Sequence, residues 1–377
     1  MTELGALPTP SLLLDRPRAE RNAARIGERV RTLGARLRPH IKTHKCIEVA
    51  RLQTAGHGGG ITVSTLAEAR AFAAHGFRDI TYAVPIEPGK FAAVVALVAS
   101  GVRLALITDD AGVPGPLAEA ARRAGVTLEV FIKVDCGYHR CGVDPKGHAL
   151  VELAQRIGER SSLRFAGILT HAGHSYHARG AAAIAAVARE ERDVMCAAAA
   201  RLRAAGIEVP AVSVGSTPTA VHVDHLRGVD EVRAGNYVFF DLTQAALGNC
   251  TPDDTVLSVL ASVVHRDLAR RQVVLDAGAI AMSKDRGPVE FVPDAGYGRL
   301  VDLDGTDLGL TLTALSQEHG VVRAADDTQL AALAALTVGT RVRIRVNHSC
   351  LTAAQHGEYV VHDGRAVVDR WAIHRGW

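Results

Sequence analysis

The sequence predicts an α/β fold: a (β/α)8 TIM barrel followed by a mostly-β domain. The first observation is an alternation of eight short β-like runs with longer amphipathic helical runs, which is the element count of such a barrel. The second is a change of texture after about residue 252, where β-type runs joined by Gly and Asp turns replace the helices. The third is composition, because 48% hydrophobic residues with only 4% aromatics are typical of helices packed on parallel aliphatic strands.

The eight predicted strands cover residues 36–43, 60–65, 79–84, 102–109, 127–135, 163–171, 210–216 and 231–240. Helices are predicted between them, for example over 65–76, 115–125 and 178–206, and several of these end at a glycine. A doubly wound open sheet is the alternative. The barrel is preferred because eight strands are counted and no GxGxxG motif follows the first of them.

The second domain is predicted from β-type runs between residues 257 and 374. The segments DLDGTDLG and VHDGRA within it look like hairpin connections. The N-terminal run TPSLLLD precedes the first helix and is assigned to the same domain. The predicted boundaries are therefore a barrel over 16–250 and a β-domain made of 1–15 and 251–377.

Charge and patterning exclude several classes of protein. The net charge is +3 with both signs interspersed, which argues against nucleic-acid binding. Neither a signal peptide nor an apolar run of about 18 residues is recognisable. The six cysteines are scattered without a CxxC pair, which favours reduced thiols. We therefore expect a cytoplasmic protein that acts on a small molecule, without nucleic-acid or membrane partners.

The charged stretch RLRPHIKTHKC covers the first predicted strand. Lys42 is predicted at the open end of this strand, where loss of solvation lowers the pKa of an amine and makes it nucleophilic. An ordinary solvated lysine is the alternative. Arg38 and His40 share its side of the strand and are expected to support it from deeper in the barrel. Lys45 is expected to begin the next helix facing solvent, and His44 has no assigned role.

Two segments after the seventh and eighth strands, GSTPT (215–219) and AGNY (234–237), resemble an anion site. Loops in these positions commonly bind phosphate in barrels, through backbone N–H groups at a helix start. A plain turn with a helix cap by Ser216 or Thr217 is the alternative. A lysine opposite a phosphate site suggests pyridoxal 5′-phosphate (PLP), with the aldehyde on Lys42 and the phosphate on the far loops.

The segment NHSC places His348 and Cys350 two residues apart, so that on a strand they would point to the same side. Imidazole and thiolate together suit zinc in an open site completed by water or substrate. A buried cysteine beside an exposed histidine is the alternative. The three histidines of HAGHSYH (171–177) follow a strand and are interpreted as a loop rather than as a metal site.

These motifs, with TPSLLLD, GITVSTLAEA, EVRAGNYVFFDL, DAGAIAMSKDRG and QEHG, resemble the D-serine dehydratase and D-threonine aldolase family over nearly the whole chain. These are fold-type III PLP enzymes with an alanine racemase-like barrel. The resemblance implies that Lys42 binds the cofactor aldehyde, that Arg140 faces its phenolic oxygen and that Tyr176 lies near the pyridine nitrogen. It implies metal ligation by His348 and Cys350. The full predicted cofactor-binding set is Lys42, His40, Arg140, His171, Tyr176, Gly215, Ser216, Thr217, Gly235, Asn236 and Tyr237.

The resemblance also implies the reaction. A dehydratase dependent on PLP and on a divalent metal (zinc, or else manganese, cobalt or magnesium) would convert a D-3-hydroxy amino acid to a 2-keto acid and ammonia. Cys350 favours this over retro-aldol cleavage, since the family's aldolases often have Asp at that place. A non-catalytic PLP-binding protein and a cofactor-free metal hydrolase are the remaining alternatives. Arg286, Gln317 and His319 are predicted substrate contacts, Lys284 is a further candidate, and a homodimer is expected.

Overall fold

The computed structural model describes residues 2–377. It divides into two compact units, each continuous in space but not in sequence. The barrel unit contains residues 24–235 and 374–377, and the β unit contains residues up to Ala23 together with Asn236–Ile373. The chain therefore passes from one unit to the other within its first long helix, again after Gly235 and a third time after Ile373.

The elements of residues 2–377 are as follows. The strands are β1 (Ser11–Asp15), β2 (Arg36–Leu37), β3 (Ile61–Val63), β4 (Asp79–Pro85), β5 (Arg103–Thr108), β6 (Leu128–Lys133), β7 (Leu163–Leu169), β8 (Val212–Val214), β9 (Glu231–Val232), β10 (Leu257–Asp267), β11 (Gln272–Leu275), β12 (Gly298–Val301), β13 (Asp307–Leu315), β14 (Gly320–Arg323), β15 (Arg341–Val346), β16 (Glu358–Asp363) and β17 (Ala366–Ala372). The α-helices are α1 (Arg16–Thr32), α2 (Ile47–Thr54), α3 (Leu66–Ala74), α4 (Phe91–Ala99), α5 (Pro114–Arg123), α6 (Ala149–Gly158), α7 (Gly180–Ala204), α8 (Thr217–His222), α9 (Leu242–Ala246), α10 (Ala279–Met282), α11 (Asp327–Ala334) and α12 (Ser349–Ala353).

The barrel unit contains a curled sheet of eight parallel strands in the order β2-β9-β8-β7-β6-β5-β4-β3. Its two ends meet at a parallel bridge between His40 and Thr62, where the Thr62 N–H donates to Pro39 O over 2.9 Å. Helices connect successive strands, as the right-handed crossovers of parallel sheets require. The predicted barrel is confirmed.

Two of the eight predicted strands are much shorter than the sequence suggests. The first ends at Leu37 instead of residue 43, because Pro39 lacks an N–H to donate to a ladder and the chain then turns at Ile41–Thr43. The eighth pairs only over Glu231–Val232 and continues into a 3₁₀ turn at Asn236–Val238. Both shortened strands leave irregular backbone at their carboxyl ends, where barrel sites are built.

The interior of the barrel unit changes in character along the strands. A middle layer contains small and aliphatic buried side chains, among them Ala105, Ala166 and Ala211, with Phe131. At the amino-terminal ends of the strands these small residues leave a cavity of about 910 Å³. An ionic network lies around this cavity, in which Arg38 contacts Glu231 and Asp79 while Arg103 and Arg164 both contact Glu129. Arg38 thus supports the floor of the barrel through paired charges.

The β unit contains a sheet in the order β11-β14-β13-β12-β15-β10-β1-β16-β17, and a further β10–β11 pairing closes part of it into an antiparallel barrel. Strand β1 pairs antiparallel with β10 and parallel with β16. The two predicted hairpins are confirmed, since β12 with β13 and β16 with β17 are antiparallel neighbours. Along residues 2–377, no helix has both the length and the apolar character needed to cross a membrane.

Candidate active site

Lys42 lies in a 3₁₀ turn at Ile41–Thr43, directly after the bridge residue His40. The prediction that it ends a regular strand is wrong, because the strand stops at Leu37. The Lys42 backbone N–H donates to His40 Nδ1 over 3.4 Å, which places the proton of that imidazole on Nε2, 3.5 Å from Ser64 Oγ. Burial, followed by the nearby charge of Lys42, holds the pKa of His40 well below its usual range. The lysine therefore has an uncharged imidazole beside it.

A second uncharged imidazole, His171, follows β7. Its Nδ1 lies 3.1 Å from Gly215 O, so this nitrogen carries the proton and Nε2 keeps a lone pair. Burial, and then the charge of Lys42, holds the pKa of His171 well below its usual range. The ring of Tyr138 meets it edge-on at 6.0 Å between centroids, and the exposed Arg140 lies over the Tyr138 ring at 5.1 Å. Tyr176 is half-buried in the short 3₁₀ turn Gly173–His177, so HAGHSYH forms a turn without an α-helix.

His44, the residue without a predicted role, is fully buried and bonded on both ring nitrogens. Its Nδ1 accepts the Cys46 N–H over 3.0 Å, and its Nε2 therefore donates to Gln53 Oε1 over 2.9 Å. Gln53 in turn donates to Gly235 O over 3.4 Å. Burial lowers the pKa of His44 to about 3. His44 connects the segment after Lys42 to the segment after β9 and is a support for both.

Lys45 differs from its prediction. It does not face solvent, since its amine contacts the fully buried carboxylate of Glu68. Nor does it begin a helix, because α2 begins at Ile47 and Lys45 itself has φ of +50°. The reason is that Glu68, buried at the start of α3, needs a cation, and Lys45 supplies it.

The GSTPT segment forms a capped helix start. Ser216 caps α8, accepting the Thr219 N–H over 3.2 Å, and its own N–H donates to Thr219 Oγ1. The Gly215 N–H donates to Glu191 Oε1 over 3.0 Å. These two backbone donors are therefore occupied within the protein, as the cap interpretation of this segment requires. The Ser216 hydroxyl contacts Ser175 Oγ at 2.9 Å.

Gly235 has features that suit an anion. A Cβ added here would lie 2.3 Å from His40 O, so only glycine lets the backbone pass this close to the lysine segment. Its N–H donates to no acceptor among residues 2–377. An unpaired backbone donor at the end of a barrel strand is what a phosphate oxygen would satisfy.

Sequence reasoning missed two barrel residues. Glu191 is buried in the middle of α7 and accepts the N–H groups of Ala172 and Gly215, so it joins the ends of β7 and β8. Nothing in the sequence distinguishes it from other helical glutamates. Lys133 is the last residue of β6 and is 5% exposed. A lysine at the end of the apolar run LEVFIK was the available signal.

His348 and Cys350 lie in the β unit, at a strand-to-helix junction. The prediction that both lie on one strand is wrong, because β15 ends at Val346, His348 occupies the N-cap position of α12 without a side-chain cap hydrogen bond, and Cys350 belongs to the first turn of that helix. His348 Nδ1 is 2.5 Å from Asp285 Oδ2. Burial lowers the pKa of His348, but hydrogen bonds to Asp285 and Cys350 outweigh it and raise the pKa to about 11. Imidazole and thiol are thus in contact despite the different backbone.

Asn236 belongs to the same cluster through its side chain. Its Nδ2 donates to Asp241 Oδ2 and to Ser349 Oγ, both over 2.9 Å, and lies 3.8 Å from Cys350 Sγ. Its buried Oδ1 has no hydrogen-bond partner among the described residues. Tyr237, the next residue, is fully buried. Within residues 2–377, no group of three or more His, Cys, Asp or Glu side chains could hold a metal ion.

The predicted substrate contacts are exposed residues of the β unit. Arg286 adjoins Asp285, and its carbonyl accepts the Asn347 side-chain amide over 3.0 Å. Gln317 and His319 lie in the β13–β14 connection, whose backbone packs closely against Gly278. Lys284 is exposed as well. The role of these residues in substrate binding therefore stays a prediction.

Two family models match the chain. Residues 14–243 match the alanine racemase N-terminal domain, and residues 256–362 match the putative serine dehydratase domain. Among curated proteins, the chain is 42% identical to D-threo-3-hydroxyaspartate dehydratase of Delftia sp. over 98% of both chains. The chain belongs to the D-serine dehydratase and D-threonine aldolase family.

Other members of this family match at similar coverage. D-serine dehydratase of Dictyostelium discoideum is 33% identical, over 100% of this chain and 98% of the other. D-threonine aldolase of Arthrobacter sp. is 32% identical, over 98% and 93%. A solved cysteine-to-alanine mutant of D-threo-3-hydroxyaspartate dehydratase, in the metal-free form, superposes with a TM-score of 0.96 at 40% identity, covering 100% of both chains. Dehydratases and aldolases are lyases, so the family is one of lyases.

Proposed function

We propose that the chain is a lyase dependent on PLP and on a divalent metal, and that it removes water from a D-3-hydroxy amino acid to give a 2-keto acid and ammonia. D-serine would yield pyruvate, and D-threo-3-hydroxyaspartate would yield oxaloacetate. We choose dehydration over retro-aldol cleavage because a cysteine, Cys350, contacts His348, whose other ring nitrogen is held by Asp285. The identity to dehydratases over nearly the full chain supports it.

The barrel unit fits PLP. Lys42 would hold the aldehyde, and the unpaired Gly235 N–H with the Ser216 hydroxyl would hold the phosphate. The glycine at 235 leaves a space that a Cβ would fill. When bound, PLP supplies an electron sink for the charge that develops at the substrate α-carbon.

Lys42 Nζ, in its neutral form, is the group proposed to take the α-proton. The neighbouring His40 and His171 are uncharged, so neither competes as an acid. The proton of His171 is held by Gly215 O. This leaves its Nε2 as an acceptor, which orients donors in the site without supplying a proton.

In the β unit, His348 and Cys350 would supply two ligands to a divalent metal. Asp285 holds Nδ1 of His348, which leaves Nε2 as the coordinating nitrogen, an arrangement that raises the basicity of a histidine ligand. Cys350 would supply the thiolate, and solvent or substrate would complete the coordination. When bound, the metal acts as a Lewis acid on the β-hydroxyl, which is otherwise a poor leaving group. The relative solved in a metal-free form supports a metal in this family.

Tyr176 is proposed to face the pyridine nitrogen. A phenol, with a pKa of about 10, is too weak an acid to keep that nitrogen protonated. The site would then depend more strongly on stabilisation of the leaving hydroxide.

Retro-aldol cleavage to glycine and an aldehyde is the second candidate, favoured by 32% identity to a D-threonine aldolase. A product assay separates the two. D-serine, D-threonine and D-threo-3-hydroxyaspartate are each incubated with the purified protein, with and without chelator, and ammonia, keto acid, glycine and aldehyde are measured. We expect keto acid and ammonia in equal amounts, abolished by chelator. Glycine as the main product would instead identify an aldolase.

The metal pair is tested by Cys350→Ala. We expect this variant to keep the absorbance of bound PLP and to lose at least about 100-fold in elimination rate, since Lewis-acid assistance contributes several kcal/mol. Cys196→Ala, in helix α7 of the barrel unit, is the matched control and should keep full activity. Full activity of Cys350→Ala after metal removal would contradict the metal role.

We also propose a homodimer. The resemblance implies it, and exposed apolar side chains of the β unit support it, with Ile280 51% exposed and Val292 and Leu351 each 43% exposed. Light scattering during size-exclusion chromatography measures the mass directly. A cytoplasmic location stays a prediction of the sequence.

A further inference from the structure

Two buried cations inside the barrel unit have no carboxylate partner. Lys133 and Arg233 are each 5% exposed. The amine of Lys133 makes no hydrogen bond and no ion pair with any residue from 2 to 377. Within residues 2–377, the guanidinium of Arg233 donates only to Ser213 Oγ and to the carbonyls of Val214 and Thr170. An unpaired buried charge is strongly unfavourable, so the pattern indicates a place for an anion.

The floor of the same barrel provides the contrast. There Arg38 is also buried but contacts both Glu231 and Asp79. Arg38 is thus a buried cation that the barrel pairs with carboxylates. Lys133, at the opposite ends of the strands, has no such partner among residues 2–377.

Strand geometry aims Lys133 into the barrel mouth. Glu129 and Phe131 line the interior cavity, and side chains two apart on a strand share a face. Lys133 is the next inward position and ends β6, so it lies at the carboxyl end of the barrel. Burial, and then the charge of Arg233, lowers the pKa of Lys133 to about 8, and Lys133 also helps to lower the pKa of His171. The amine thus faces the same space as Lys42 and His171.

The proposed ligands bring three anionic groups to this space. The cofactor phosphate has donors at Gly235 and Ser216, and Arg140 is assigned to its phenolic oxygen. Of the two buried cations, Arg233 already donates to Ser213, Val214 and Thr170, whereas Lys133 has no protein partner among residues 2–377 and is left for the substrate carboxylate. We infer that Lys133 binds the α-carboxylate of the amino acid substrate, an inference that rests on the proposed function. Holding that group would fix the orientation of the α-proton toward the Lys42 amine.

The test uses Lys133→Met, which keeps length and removes the charge. The dissociation constant of D-alanine, which lacks a β-hydroxyl and cannot be dehydrated, is measured by spectral titration of the PLP-loaded protein. We expect it to rise about 10- to 100-fold, the loss expected for a charge-assisted hydrogen bond. KM for D-serine should rise in parallel, while PLP affinity stays within about twofold. Lys133→Arg should recover part of the affinity, and the exposed Lys146→Met is the matched control.

Three further results decide the inference. Apo Lys133→Met should melt no lower than the wild type, because the substitution removes an unpaired buried charge; a large destabilisation would make Lys133 structural and overturn the inference. Weakened PLP binding with unchanged D-alanine affinity would assign Lys133 to the cofactor and overturn it as well. A wild type that binds no PLP would remove the proposed function itself, whereas an active wild type with an unaffected Lys133→Met removes only this inference.

Discussion

At the residue scale, the barrel unit keeps three imidazoles uncharged. His44 is fully buried and His40 and His171 are half-buried, and the burial of each ring is the main reason that its pKa lies below its usual range. In the unfolded chain they would bind a proton near pH 6.5. Between that pH and the folded pKa the unfolded state binds more protons, so the free energy of unfolding falls as the pH falls. The residues beside Lys42 therefore make the barrel unit acid-sensitive.

His44→Gln tests this dependence. His44 contributes over the window from about pH 6.5 to its folded pKa of about 3. Replacing it should reduce the slope of unfolding free energy against pH by up to about 1.4 kcal/mol per unit between pH 6 and 4. Denaturant titrations at four pH values measure the slope. The exposed His148→Gln should leave the slope unchanged, and an unchanged slope in His44→Gln would refute the coupling.

At the element scale, one glycine, Gly235, allows the segment after β9 to pass close to the Lys42 turn. A Cβ at position 235 would collide with His40 O, so Gly235→Ala must move either this segment or the Lys42 turn. We expect a loss of about 1–3 kcal/mol in unfolding free energy and at least about a tenfold weaker PLP affinity. Gly58→Ala is the control, because a Cβ there meets nothing within 4 Å. Equal PLP affinity in both variants would show that the contact does not position the cofactor loop.

The periodicity of apolar residues predicted the regular strands and helices correctly. It failed where the backbone leaves regular secondary structure. The eight parallel strands and both hairpins follow from alternation, turn residues and glycine stops. The Lys42 turn does not, because Pro39 ends the ladder and the period of two no longer applies. The prediction of a strand at His348 also failed, because β15 ends at Val346 and the chain turns into α12. The contact between His348 and Cys350 was nevertheless predicted correctly. The backbone that carries the predicted site residues therefore escapes prediction where a strand becomes irregular.

Other features depend on tertiary partners that no local pattern reveals. Glu191 acquires its role from two strand ends that are distant in sequence. Lys45 was expected to face solvent, whereas in the structure its amine contacts the buried carboxylate of Glu68. Long-range charge pairing has no sequence period, so only the fold identifies it.

At the scale of the whole molecule, the last residues of the chain return to the barrel unit. The His374 N–H donates to Lys45 O over 2.7 Å, and the His374 ring lies 5.3 Å from that of His75. Removing residues 374–377 should lower the unfolding free energy by about 1–3 kcal/mol and weaken PLP binding, because Lys45 adjoins the Lys42 turn. Calorimetry and PLP titration measure both. Trp377→Ala, at a side chain 96% exposed, should change neither, and an unaffected truncation would refute the support.

Strand β1 has a consequence for the order in which the protein is made. Its apolar residues Leu12, Leu13 and Leu14 are translated well before their partners, because β1 pairs with β10 and β16, roughly 250 and 350 residues later. The whole barrel segment is translated during that interval. An uncovered apolar strand is a site for misassociation between nascent chains. Translation speed and chaperone supply should therefore govern the yield of this protein more strongly than the stability of its finished fold.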